Sequence, residues 1–150
     1  MSEISFYHLE RSNLETALPK LLEKVMAAGL KAVVKLGSVE RAEALNAHLW
    51  TYVQGSFLPH GTARDGSGAD QPIWLTVEDD NPAGATVLVL ADGAVSDRMG
   101  DYARGLELFD GRDPDALSLA RAHWQANKDA GHALTYLRQN ASGGWEKQDI

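Results

Sequence analysis

Short apolar runs rich in β-branched and aromatic residues alternate with segments of helical period along most of this chain, and that alternation is what most narrows the folds open to it. Ile4-Ser5-Phe6-Tyr7-His8-Leu9 reads as an opening strand. Leu14, Leu18, Leu21, Leu22, Val25 and Met26 then recur at helical spacing, and Gly29 stands where a C-terminal cap belongs. Lys31-Ala32-Val33-Val34-Lys35-Leu36 reads as a buried strand. Gly37-Ser38 turns it into a second helix that Ser38 can cap, with Glu40 in the first turn to suit the dipole and an end near Trp50. Ala42, Leu45, Asn46 and Leu49 share one face of that helix, and Glu40, Arg41 and Glu43 lie on its polar side.

From Gly55 to Gln71 the composition turns to Gly, Pro, Ser and Asp, which predicts a long surface loop. Pro72 to Val77 and Thr86 to Leu90 follow as strands, separated by an acidic turn at Glu78-Asp79-Asp80-Asn81-Pro82. Leu106-Glu107-Leu108-Phe109 reads as a last core strand. Asp113-Pro114 is an N-cap followed by proline at the first helical position, opening a helix that runs to about Ala130 and stops at Gly131. Thr135-Tyr136-Leu137 fits strand or helix equally. Strands alternating with helices predict an α/β fold, Rossmann-like and three-layered, with a mostly parallel central sheet flanked by helices.

With 150 residues and 44% hydrophobic content the chain can bury one core without staples, so residues 1–150 are expected to form a single domain. Gly143-Gly144 marks a flexible C-terminal end from about residue 141. There are no cysteines, which excludes disulfides and thiolate metal sites and fits a cytoplasmic protein. The N-terminus lacks a basic stretch followed by an apolar run, and no segment is long enough to cross a bilayer, so a soluble, untargeted protein is expected. A net charge of -7 should repel a phosphate backbone, which weighs against direct DNA binding.

The Rossmann-like pattern invites a nucleotide-dependent enzyme as an alternative, but phosphate cradles need closely spaced glycines opening a helix. Here the first strand leads into Leu9-Glu10-Arg11-Ser12-Asn13, the second into a single Gly37, and the glycines from Gly61 to Gly68 lead to Pro72 and a strand. His8, His48, His60, His123 and His132 are scattered without metal-ligand spacing, and no G-x-S-x-G occurs. Glu78, Asp79 and Asp80 read as a solvated turn rather than metal ligands. Neither a catalytic constellation nor a cofactor is expected.

The last helix is the most informative segment, because Arg121, Trp124 and Lys128 fall on one stripe at i, i+3 and i+7. An aromatic surface between two cations is what an acidic peptide with an apolar or aromatic end needs. The same stripe equally fits a Trp124 packed into the sheet while Arg121 and Lys128 extend around its rim.

Phe6-Tyr7-His8-Leu9, then Leu45-x-x-x-Leu49-Trp50 with Phe57-Leu58-Pro59-His60-Gly61, then Arg121-x-His123-Trp124 with Gly131, together resemble the DNA polymerase III chi subunit family over nearly the whole chain. The resemblance implies a non-catalytic clamp-loader accessory subunit. One surface would bind the psi subunit, and another the C-terminal tail of single-stranded-DNA-binding protein, which is acidic and ends in Pro-Phe with a free carboxylate. DNA would be a partner only indirectly. By this resemblance Arg121 and Lys128 meet the acidic residues or the carboxylate, Trp124 helps wall the pocket for the terminal Phe, and Phe57, Leu58 and Pro59 form the psi-facing patch. Gln125 and Asn127 stand where the family often has a Lys and an aromatic residue, a gap that Lys128 and Arg138 could fill.

Overall fold

The computed structural model describes residues 2–10, 14–51, 60–62, 73–81, 84–91, 93–96, 98–140 and 144–148. In chain order these form β1 (Glu3–Leu9), α1 (Leu14–Ala27), β2 (Ala32–Lys35), α2 (Val39–Thr51), β3 (His60–Thr62), β4 (Ile73–Thr76), β5 (Val87–Leu90), β6 (Arg104–Asp110), α3 (Pro114–Asp129), β7 (Ala133–Gln139) and β8 (Trp145–Gln148). A 3-10 turn, Met99–Asp101, precedes β6.

The helix boundaries follow from local chemistry. Gly29 closes α1 at φ 74°, a left-handed conformation that costs glycine little, and it donates to the Met26 carbonyl while Leu30 donates to Val25. Gly131, at φ 86°, closes α3 in the same way, with bonds from Gly131 to Lys128 and from His132 to Asn127. At the start of α2 the Ser38 hydroxyl accepts from the Arg41 N–H at 3.2 Å, and Asp113 caps α3 by accepting from the Asp115 N–H at 3.0 Å. Ala42 and Leu45 are buried as expected, while the side chains of Asn46 and Leu49 lie outside the described residues.

The strands form one sheet in the order β3-β4-β2-β5-β6-β1-β7-β8, with every neighbouring pair parallel except β7 and β8. On one face Leu18, Leu22 and Val25 of α1 and Leu45 of α2 pack against Val34, Leu75, Val89 and Leu108. On the other, Leu117, Ala120 and Trp124 of α3 and Met99 of the 3-10 turn pack against Phe6, Leu88 and Phe109. Helices on both faces of a mostly parallel sheet make the expected three-layer Rossmann-like arrangement.

Three details differ from the sequence reading. β6 is not the last core strand, because β7 pairs with β1 from Glu3↔Ala133 to His8↔Arg138 and so settles the Thr135–Leu137 segment as strand. Within the predicted long loop, β3 adds three residues to the edge beside β4. The span expected to be a flexible end contains β8, which pairs antiparallel with β7 from Tyr136↔Gln148 to Gln139↔Trp145. Tyr7 and Trp145 meet edge to face below that pairing, with ring centroids 4.9 Å apart.

Candidate protein-binding site

Helix α3 crosses the sheet above β6 and β7, and its sequence decides which side faces down. Leu117, Ala120 and Trp124 recur at i, i+3 and i+7 and pack against the sheet. Arg121 and Lys128 are exposed beside that stripe, about 10 Å apart along the helix axis at 1.5 Å per residue. Neither makes an ion pair among the described residues.

Trp124 is half-buried. Its ring meets Phe6 edge-on at 5.2 Å and Tyr136 at 5.8 Å, so the indole is braced from below by β1 and β7 while its outer part reaches the surface. Both arrangements weighed from the sequence are therefore partly present in one side chain, packed inward yet bordered by two exposed cations.

Beyond Tyr136 a polar chain runs to the carboxyl end of the sheet. The Tyr136 hydroxyl is hydrogen-bonded to His8 Nδ1, His8 Nε2 stands 3.4 Å from Glu10 Oε1, and Arg138 Nε donates to that same Glu10 oxygen at 2.8 Å. His8 is only 7% exposed, and burial lowers its pKa, an effect that the Glu10 carboxylate partly offsets. In the neutral ring, the tautomer carrying its proton on Nε2 accepts from the Tyr136 hydroxyl and turns its N–H toward Glu10. Burial likewise raises the Tyr136 pKa.

A second polar contact fixes α3 to the sheet. His123 Nδ1 lies 2.9 Å from both carboxylate oxygens of Glu107, which is 5% exposed. The hydrogen bond to Glu107 raises the His123 pKa and so favours the histidinium, while burial raises the Glu107 pKa against the opposing pull of His123 and so works against the carboxylate. The sequence carries a signal for it. Leu106 and Leu108 belong to one core face and Phe109 to the other, so Glu107 had to be buried and to need a partner.

Gln125 and Asn127, the two departures from the family pattern, are occupied within α3. The Gln125 amide donates to Asp129 and the Asn127 amide to the His123 carbonyl, at 2.9 and 2.8 Å. Phe57, Leu58 and Pro59 lie outside the described residues.

A cavity of about 440 Å³ opens at the carboxyl ends of β1, β5 and β6, where α/β sheets commonly hold ligands. Its apolar walls include Leu9, Leu90, Leu108 and Leu119, and its charged lining combines Asp110, Asp113 and Asp115 with Arg41 and Arg112. The helix end facing it belongs to α3, where Pro114 has no N–H and Asp113 already accepts from Asp115. That end therefore offers fewer free backbone donors to a phosphate than an uncapped helix N-terminus would. Among the described residues no group of three or more His, Cys, Asp or Glu side chains could hold a metal.

The acidic turn is more structured than a solvated one. Asp79 accepts from Lys35 Nζ at 3.0 Å and from Ser96 Oγ at 2.6 Å, while Asp80 accepts from Trp74 Nε1 at 2.8 Å and from the Thr76 hydroxyl. Burial works to raise the Asp79 pKa, but the Ser96 and Lys35 contacts outweigh it and hold the carboxyl below its usual range.

Residues 1–135 match the family described as DNA polymerase III chi subunit, HolC. A protein of Rickettsia prowazekii (strain Madrid E), named as a probable DNA polymerase III subunit chi, is 39% identical over 90 residues, which cover 60% of this chain and 54% of that protein. The match thus spans about half the length of that relative.

Proposed function

Because the chain belongs to the DNA polymerase III chi subunit family, we propose that it acts as a non-catalytic accessory subunit of the replisome, linking the clamp loader to single-stranded-DNA-binding protein. Its α3 surface takes the acidic, Phe-terminated tail of that protein. Phe57, Leu58 and Pro59 contribute to a contact with the psi subunit. DNA is reached only through these partners, and the protein works in the cytoplasm.

The observation that carries the tail reading is the placement of Arg121 and Lys128, both exposed, on either side of a braced, partly accessible Trp124 in a chain of net charge -7. Burying the terminal phenyl ring against such a surface contributes roughly 1.5–3 kcal/mol. Each exposed ion pair contributes only about 0–1 kcal/mol. The aromatic contact therefore dominates affinity, and the cations select an acidic partner.

The test is titration of the protein with a labelled peptide copying the tail, beside a control lacking the terminal Phe. Binding near micromolar, about -8 kcal/mol, is expected for the first and loss for the second. Lys128→Glu should weaken binding about fivefold, in line with one reversed charge pair. Equal binding of both peptides, or full affinity in Lys128→Glu and Arg121→Glu, would place the tail elsewhere.

A further inference from the structure

We infer that Arg138 is a further carboxylate-binding arm of the α3 surface and that Glu10 is its built-in competitor, an inference that rests on the acidic-peptide reading of that surface. On β7, Tyr136 and Arg138 are two residues apart and so share a sheet face, the one that packs beneath Trp124. The Arg138 side chain is half exposed. Arg121 on α3 and Arg138 on β7 both lie close enough to act electrostatically on Tyr136 and His8.

Glu10 pairs with Arg138 and so occupies the position that a carboxylate arriving at that guanidinium would take. Arg138 sends both its Nε and an Nη donor to the single oxygen Oε1 of Glu10. A guanidinium fork binds a carboxylate best through two parallel bonds to two oxygens. The internal contact falls short of that geometry, so a peptide carboxylate able to accept in parallel can replace it. Glu10 itself is held in place, because its backbone N–H donates to Gln139 Oε1 at 2.9 Å and its carboxylate faces His8 Nε2. It is thus a fixed carboxylate that sets a threshold for exogenous ones.

The experiment is a mutant cycle read by titration with the Phe-terminated acidic peptide. Glu10→Gln should tighten binding about fivefold and Arg138→Gln should weaken it about as much, the scale of one exposed charge pair. In the double variant the gain from Glu10→Gln should vanish, an outcome that a purely structural role for Glu10 would not produce. Urea unfolding of each variant checks that the fold is kept. If the wild type binds and all variants bind equally, the competitor role is overturned while the α3 reading stands. Binding by Glu10→Gln where the wild type shows none supports the competition in its strongest form. Absence of binding in both overturns the inference and the α3 reading together.

Discussion

Truncating Trp124 to alanine should loosen the fold as well as the binding surface, and the size of the first effect follows from the packing. Removing a fully buried Trp or Phe side chain costs about 3–5 kcal/mol. Trp124 keeps part of its ring at the surface but loses edge contacts to both Phe6 and Tyr136, so a cost of about 2–3 kcal/mol is expected. A small domain starts with about 5–15 kcal/mol, so the variant should still fold. Far-UV circular dichroism during urea unfolding measures it, and with a slope of about 1–3 kcal/mol per molar the midpoint should drop by about 1 M. Trp124→Phe, which preserves an edge-to-face partner, should recover roughly half of the loss. Lys128→Glu, on the exposed side of the same helix, should leave stability within about 0.5 kcal/mol. A Trp124→Ala loss under about 0.5 kcal/mol would refute the reasoning, since the indole could not then be braced by the sheet.

His8, buried, and His123, half-buried, should give pH profiles of opposite slope. His123, raised by Glu107, contributes stability that is complete below its ordinary 6.5 and is lost as pH rises through the raised value. Glu107, raised by burial, adds a loss of the same sign that begins above its ordinary 4.5, and His123→Gln should remove only the histidine part of the decline in melting temperature, above about pH 6.5; an unchanged slope there would show that His123 does not titrate as described. His8, lowered by burial, contributes stability present above 6.5 and lost as pH falls, so His8→Gln should flatten the acid limb of the same curve. Gly111→Ala should destabilise by about 1–3 kcal/mol in thermal or urea unfolding, because a Cβ there would overlap the His8 ring. Salt should raise the association rate of the acidic peptide by screening the net charge of -7 while lowering its overall affinity by weakening the contacts to Arg121 and Lys128. An association rate that falls steeply with salt in stopped-flow would contradict that balance.

Much of the fold could be read from residues whose reasons are local. Gly29 and Gly131 stop helices because they accept positive φ, and Ser38 and Asp113 start them because their oxygens reach the first free N–H groups. What could not be read depends on partners far along the chain. Thr135-Tyr136-Leu137 is neutral between strand and helix on its own. Its pairing with β1 and the hydrogen bond of Tyr136 to His8 decide it from more than 100 residues away, and Trp124 of the preceding helix adds a ring contact. β3 was missed because three residues inside a Gly-rich stretch carry no periodicity, and only β4 makes them a strand. At the site, helical spacing placed Arg121, Trp124 and Lys128 on one stripe, but could not say how deeply the indole sits. Nor could it place Glu10 and Arg138 beside one another across two strands.

These contacts also explain how a chain poor in cations can keep a constant charge at one surface. His8, beneath the site, stays neutral because burial disfavours its protonation, and it spends its nitrogens on Tyr136 and on the approach to Glu10. His123, one residue before Trp124, gains a proton more readily but is offset by the buried Glu107 carboxylate. One histidine is thus silenced by desolvation and the other by pairing, so neither adds net charge near neutral pH. The positive charge left to the surface comes from Arg121, Lys128 and Arg138. Guanidinium groups do not titrate in this range. Modulation of that charge falls instead to Glu10, the carboxylate that touches one of the three, while the sheet keeps the aromatic part of the surface rigid and limits the entropy lost on binding.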